Sequence, residues 1–559
     1  MKKKKLFLYA GLGLLAIIIA VFIFLGRYTD RVIDPYVRAM LEETKPMGHK
    51  IEYEKIRINL FQGSIILKEV RMFPDTLLTK NGLRIELTIK KIRLTGVSIW
   101  QILVNKSLRI KDFVIENPEV KLTLPHKTDQ VVEEVRKEKP PVKGSPLLTK
   151  ISLEKIIFSG GSFQLIRDSL ILATSHDINL VVDSIALARN SKEEPIGYTY
   201  GEIRLDLSNI SLYSETGLYD MALDGFSFRK SDSTIVLRGF SMIPKYDKKE
   251  FSKKLEFQGD RFDVKIGQIS LGGIGIQRFL AGGRLEISSI NIDSLDADIY
   301  RDKNVRFNFN RFPKFYNESF LSIPIAVYID TVAITRSKLL YGELTAGHPV
   351  AGTILLDNFS VQSNDLTNQV DKDSIANVMH FYVQAKVMGE GAMTTELILP
   401  LEGKLHDFQC SGTVGAMPLK PLNDMLEPAI GIKFNGGKVT RMTFFFKAND
   451  NFSKGWMEFL YKDIDVSLVK KKPEKEWGFV SALANWVAVS NNPSAPGKDP
   501  KVVEIGFERD KNKGLINYVW KTIQSGMVRT ILPTGKYTIK QKQVQEEQSK
   551  GKKDGKKKG

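Results

Sequence analysis

A chain of 559 residues is longer than one compact core accommodates, so it divides into several domains or a repeat array. Its 42% apolar content is that of a folded protein, and its single cysteine, Cys410, excludes an intramolecular disulfide framework. Half of the formal charge of +18 sits on two short ends, Lys2–Lys5 and the Lys-rich run from Lys540; a body so mildly basic argues against a nucleic-acid-binding domain, which would concentrate charge on a folded face.

Residues 1–26 hold the lysine run and then Leu6–Leu25, a stretch without a charge. At about 1.5 Å per residue it spans the roughly 30 Å core of a bilayer, so we expect a transmembrane anchor that buries Leu6, Leu15, Ile18, Phe22 and Leu25. The four lysines precede it, whereas Arg27 and Arg31 beyond it are offset by Asp30 and Asp34. The positive-inside rule then places the N-terminus in the cytoplasm and the rest outside, which in a bacterium with two membranes is the periplasm. A neck helix is predicted within 27–47, with Asp34 as N-cap, Pro35 at the first helical position, an apolar stripe of Val37, Met40 and Leu41, and Pro46 as its stop.

Residues 48–125 read as a first β-module, because apolar and polar residues alternate almost throughout. Slips of one residue, as between Ile89 and Ile92, mark bulges or turns. Residues 126–146 are charged and contain prolines, the composition of a linker or mobile loop. Residues 147–400 resume the β pattern, and four stretches in this region and the preceding module share one spacing. Apolar residues at offsets zero, two, seven and nine are Phe113, Ile115, Val120 and Leu122; Ile156, Phe158, Phe163 and Leu165; Ile290, Ile292, Ala297 and Ile299; and Val332, Ile334, Leu339 and Tyr341. The spacing predicts two short strands separated by a small polar turn, a hairpin-like unit repeated four times. Short polar pairs at other slips, Asp183-Ser184, Ser208-Asn209, Asp330-Thr331 and Asp357-Asn358, read as turn chemistry.

Residues 401–538 form a C-terminal β-module with short helices. Pro418–Pro428 predicts a helix with Leu422, Met425 and Leu426 on one side, followed by a hairpin around Asn449-Asp450. Trp477–Val489 is apolar nearly all round but too short to span a bilayer. Leu515–Val528 predicts a helix presenting Ile516, Val519, Trp520, Ile523 and Met527 on one side. Residues 539–559 have the composition of a disordered tail, able to meet anionic headgroups or to stay solvated.

Signals for catalysis are poor, and the expectation is a protein that is not an enzyme. The six histidines are scattered without paired metal spacing, and no nucleophile elbow occurs. Ser152–Lys155 matches S-x-x-K but lies in a predicted strand; Gly272–Gly275 lacks the third glycine of a dinucleotide fingerprint and precedes no predicted helix, so it reads as a bend. No catalytic residue, metal site or cofactor is expected. A long sheet with one apolar face must cover that face. It closes on itself as a sandwich, or it curls into a trough that holds something else apolar.

The anchor, the IRINLFQGSIILKEVRM stretch, the LTGVSIWQILVNKSLRIKDFVIENPEVKL segment and the region from Gly403 to Val439 together resemble the AsmA-like superfamily of AsmA-, TamB- and YhdP-type proteins. The resemblance covers most of residues 1–535. It implies an inner-membrane anchor and a periplasmic, mostly β chain. Its long repetitive antiparallel sheet would curl into an apolar groove that moves phospholipid towards the outer membrane. Its partners would be the membrane, phospholipid acyl chains and an envelope or outer-membrane protein. The lipid-facing residues would be Phe113, Ile115, Ile156, Phe158, Phe163, Leu165, Ile290, Ile292, Val332 and Ile334. The alternative is an envelope scaffold with a closed sandwich core.

Overall fold

The computed structural model describes residues 49–59, 62–74, 84–97, 107–124, 150–188, 197–199, 201–214, 216–369, 377–469 and 490–531. The expected anchor, neck helix, charged linker at 126–146, Trp477–Val489 segment and lysine tail lie outside these residues. Among the described residues no helix is long and apolar enough to cross a membrane. The chain divides into two compact units, residues 1–237 and 238–559.

Unit 1 contains β1 (His49–Glu52), β2 (Lys55–Asn59), β3 (Ser64–Pro74), β4 (Arg84–Thr95), β5 (Ser107–Leu124), β6 (Lys150–Arg167), β7 (Leu170–Ala188), β8 (Gly197–Thr199), β9 (Ile203–Tyr213) and β10 (Tyr219–Arg229). The strands lie side by side in chain order. Both β1 and β2 pair with β3, and both β8 and β9 with β7. Every pair is antiparallel except β5 with β6, which is parallel. Strand β11 (Thr234–Pro244) carries the boundary between the units.

Unit 2 continues with α1 (Lys248–Lys253), β12 (Asp260–Gly272), α2 (Ile276–Gly282), β13 (Arg284–Asp302), α3 (Tyr316–Leu321), β14 (Ala326–Leu344) and β15 (Gly352–Thr367). Then come β16 (Val378–Val387), β17 (Gly391–Pro400), β18 (Phe408–Val414), β19 (Met417–Pro418), α4 (Asn423–Ile430), β20 (Ile432–Ala448), β21 (Phe452–Leu468), β22 (Val502–Glu508) and α5 (Leu515–Ile531). Here too all pairs are antiparallel save one, β13 with β14.

Two expectations are corrected by these pairings. The sheet is mixed rather than antiparallel throughout, because two connections carry the chain back to the end from which it came. The connection from β13 to β14 runs from Lys303 to Ile325 and includes only the six-residue α3. That short helix explains why no crossover was legible: parallel neighbours usually announce themselves by a long intervening helix. The hairpin-like unit is also not a hairpin. Each of the four repeats is one strand of 18 or 19 residues. The gap between its two apolar pairs holds a residue of positive φ, always four positions after the first apolar residue: Asn117 (49°), Gly160 (65°), Ser294 (59°) and Arg336 (51°). A left-handed residue inside a strand inserts a bulge and shifts the phase by one. Offsets zero, two, seven and nine therefore share a face, which an unbroken strand would not allow. Fewer and longer strands result.

The polar pairs at other slips follow the same rule. Ser184, Asn209 and Asn358 have positive φ within β7, β9 and β15, whereas Asp330-Thr331 is regular and the left-handed residue is Asp365 on the facing strand. The Gly272–Gly275 bend is present, with Gly273 at φ 65°, but α2 follows it with Gly275 as N-cap, contrary to the expectation that no helix comes next. The expected helix around Leu422–Leu426 is α4, preceded by a 3-10 turn at Lys420–Leu422, and the hairpin at Asn449-Asp450 is β20 with β21.

Candidate functional site

The candidate site is the apolar face of the sheet, and the two parallel pairs align it. In unit 1, Phe113 faces Ile156, Ile115 faces Phe158, Val120 faces Phe163 and Leu122 faces Leu165. In unit 2, Ile290 faces Val332, Ile292 faces Ile334, Ala297 faces Leu339 and Ile299 faces Tyr341. The four copies are thus two adjacent pairs in register, so equivalent side chains stand side by side. Parallel register is what lets identical patterns stack without reversal.

The antiparallel neighbours extend these pairs into rows. One row of unit 1 runs Ile56, Leu67, Ile92, Ile115, Phe158, Leu180, Leu205 and Phe228. A second runs Ile58, Ile65, Leu94, Phe113, Ile156, Val182 and Ile203. At about 4.8 Å per strand the longer row extends about 34 Å. Its exposure changes along its length. Ile56, Ile92 and Ile115 are buried in a cluster with Tyr53, Ile58, Val70 and Ile89, whereas Phe158, Leu180, Leu205 and Phe228 are half-buried. Of the ten residues predicted to face an interior, Ile115 alone is buried; Phe113, Ile156, Phe158, Phe163, Leu165, Ile290, Ile292, Val332 and Ile334 are half-buried.

The opposite face is wet and charged. Glu116 accepts from Lys91 at 3.1 Å and Arg93 at 3.2 Å, Asp183 pairs with Arg204 at 3.2 Å, and Asp206 pairs with Arg229 at 2.9 Å. In unit 2 the Arg336 guanidinium holds the Asp293 carboxyl well below the usual range, at about 2. Charged ladders of this kind fix which face meets water, because turning them inward would strip ions of solvent without recompense.

Rows in unit 2 begin half-buried, as in Ile269, Ile292, Ile334, Val361 and Val383, and end fully covered. From Leu397 through Cys410 and Phe446 to Ile505 every apolar member is buried in one cluster. Three segments roof it: the β13–β14 connection through Phe315, Phe320 and Leu321, the 3-10 turn and α4 through Leu422 and Leu426, and α5 through Leu515, Tyr518, Val519, Ile523 and Met527. Burial pushes the Cys410 thiol up to about 12.

The face of α5 matches the predicted one only in part: Val519, Ile523 and Met527 pack against the cluster, but Ile516 and Trp520 are exposed. Its buried positions are Leu515, Tyr518, Thr522, Gly526 and Thr530. Close approach decides this. A Cβ on Gly526 would lie 2.4 Å from Ile505 Cγ2, so the helix rests on its small side. Thr522 and Ser453 share a 2.6 Å hydroxyl contact beneath it. The same helix closes the outer edge of β22, where the Glu504 carbonyl accepts from Arg529 and the Gly506 N–H donates to Ser525. An edge satisfied in this way offers no template for another strand.

Among the described residues, no group of three or more His, Cys, Asp or Glu side chains is placed to hold a metal ion. The anchor residues Leu6, Leu15, Ile18, Phe22 and Leu25 lie outside the described residues. No protein-family model and no curated protein sequence matches the chain.

Proposed function

We propose that this is a membrane-anchored AsmA-like protein of the bacterial envelope that carries phospholipid acyl chains on the apolar face of its sheet, without enzymatic chemistry. The observation that supports the reading is the register of the two parallel pairs. Repeated apolar residues stand side by side, and along β6–β10 and β12–β15 most of them are half-buried, although Ala297 and Leu366 are buried and Val332 packs against the roofed cluster. Acyl chains laid across such rows are stabilised by about 25 cal/mol per Å² of apolar area removed from water. A non-directional attraction of that kind lets a chain slide from row to row. Headgroups would stay at the wetted margins, and curling of the sheet would shield the tails.

A second reading, a scaffold with a closed core and no lipid, is favoured by one observation. Among the described residues, the core rows of β17–β22 lie buried beneath the roof and offer a guest little apolar surface. The two readings therefore divide along the chain, with lipid assigned to unit 1 and to β12–β15. Native mass spectrometry of the full chain purified from its membrane tests this. Several phospholipids retained per chain support the carrier, and a lipid-free folded chain overturns it in favour of the scaffold.

A further inference from the structure

One end of unit 2 gathers large apolar side chains that nothing covers. Phe309 is 73% exposed, Phe312 67% and Ile516 61%. Single exposed apolar residues are ordinary on a protein surface, but these come from two segments that are built onto one another. Asn512 Nδ2 donates to the carbonyl oxygens of Phe309 at 2.7 Å and Arg311 at 3.1 Å. The Arg509 N–H donates to the Asn451 carbonyl at 2.8 Å, and the Tyr518 hydroxyl to that of Asn449 at 3.2 Å. The connection after β13, the β20–β21 turn and the segment leading into α5 thus form one surface.

Cations stand among these side chains. The Lys513 ammonium lies 3.8 Å from the centre of the Phe307 ring, and Arg311 and Lys511 are exposed. The Asp450 carboxylate is shared by Arg509, Lys511 and His406, so it does not neutralise them all. Glu508 and Asp510 are the opposing exposed carboxylates, and Asp510 accepts from the Asn512 N–H. Lys513 and Lys521 are both held below the ordinary lysine range, by burial and then by the Lys303 ammonium. Positive charge is crowded here, and an anion would relieve it.

We propose that this end of unit 2 docks on the surface of an anionic phospholipid bilayer, with Phe309, Phe312 and Ile516 entering the headgroup layer and Arg311, Lys511 and Lys513 meeting lipid phosphates. Apolar rings beside cations are the combination that an interface of this polarity selects. The surface is separate from the apolar face of the sheet and stands whether or not that face carries lipid.

The test uses the full chain in phosphatidylcholine nanodiscs, with Phe312→Cys carrying an environment-sensitive NBD fluorophore. Cys410 is buried, which leaves the introduced thiol as the reactive one. Vesicles rich in phosphatidylglycerol are expected to shift the emission to the blue, while phosphatidylcholine vesicles leave it unchanged. Arg311→Glu, which reverses the charge of an exposed side chain, is expected to raise the vesicle concentration for half-maximal shift by at least about fivefold. Ile516→Cys provides a second probe position if the first variant folds poorly. Silence of both probes with both lipids overturns the proposal, as does an equal response to both or indifference to Arg311→Glu.

Discussion

The two units share a motif and differ in what lies over it. Strands β4 to β7 and β12 to β15 repeat the order antiparallel, parallel, antiparallel, with the left-handed residue at the same place in the central pair. In unit 2 three segments, the connection inside this motif and α4 and α5 beyond it, roof the later rows. Among the described residues of unit 1 there is no helix, and most apolar members of its later rows stay half-buried, with Leu223 buried. A one-sided sheet therefore does not by itself determine its cover; the segments laid over it decide which rows become core.

Truncating one ring in each unit should separate roofed from half-open rows most strongly. Phe446→Ala, at a fully buried position, is expected to cost about 3–5 kcal/mol, whereas half-buried Phe163→Ala costs about 1 kcal/mol. Alkylation of Cys410 along a urea titration reads unit 2 directly, so Phe446→Ala shifts that midpoint and Phe163→Ala leaves it in place. Similar shifts from both would erase the distinction between roofed and half-open rows.

A smaller change tests the roof itself. Gly526→Ala puts a methyl group within 2.4 Å of Ile505 Cγ2 and is expected to cost about 1–3 kcal/mol by lifting α5. Faster proteolysis within residues 515–531 and faster Cys410 alkylation would mark that loosening. Unchanged rates would mean that α5 does not seal the cluster. Thiol chemistry adds a third contrast. With its thiol at about 12, folded Cys410 should resist alkylation at pH 8, whereas a cysteine replacing half-buried Phe163 should react far sooner.

The smallest expected effect is electrostatic. Asp293 is depressed from 3.8 to about 2 chiefly by its hydrogen bond from Arg336. A lowered carboxyl contributes stability that is present above its unfolded value and disappears as pH falls through the folded one. Arg336→Ala should therefore reduce stability slightly at neutral pH and flatten its decline between about pH 4 and pH 2. A decline of unchanged steepness would show that the pair is only a surface contact.

Much of the sheet was legible in the sequence because alternation is a local signal. The four-fold spacing of Phe113, Ile156, Ile290 and Val332 was visible, and so was the polar residue at its centre. What that residue does was not. Asn117, Gly160 and Ser294 are turn formers because they tolerate positive φ, and a bulge demands the same tolerance, so only the pairing partner separates a hairpin from one long strand. The parallel register depends on strands whose connection carries no helical signature of useful length. The face of α5 was misread in part, for a related reason. Hydrophobic periodicity favoured Ile516 and Trp520, but contact distance favoured Gly526 and Thr522, and contact distance is set by β21 and β22. The margins of the face were hardest to foresee, since exposure depends on what the rest of the chain leaves uncovered.

We propose that half-buried rows carry lipid and roofed rows do not. A photoreactive benzoylphenylalanine placed at Phe158 in one preparation and at Phe446 in another, irradiated in the full chain within native membranes, tests it most directly. Phospholipid adducts in the intact mass at Phe158, and none at Phe446, are the predicted result. Adducts at neither position, or at both alike, would contradict the account.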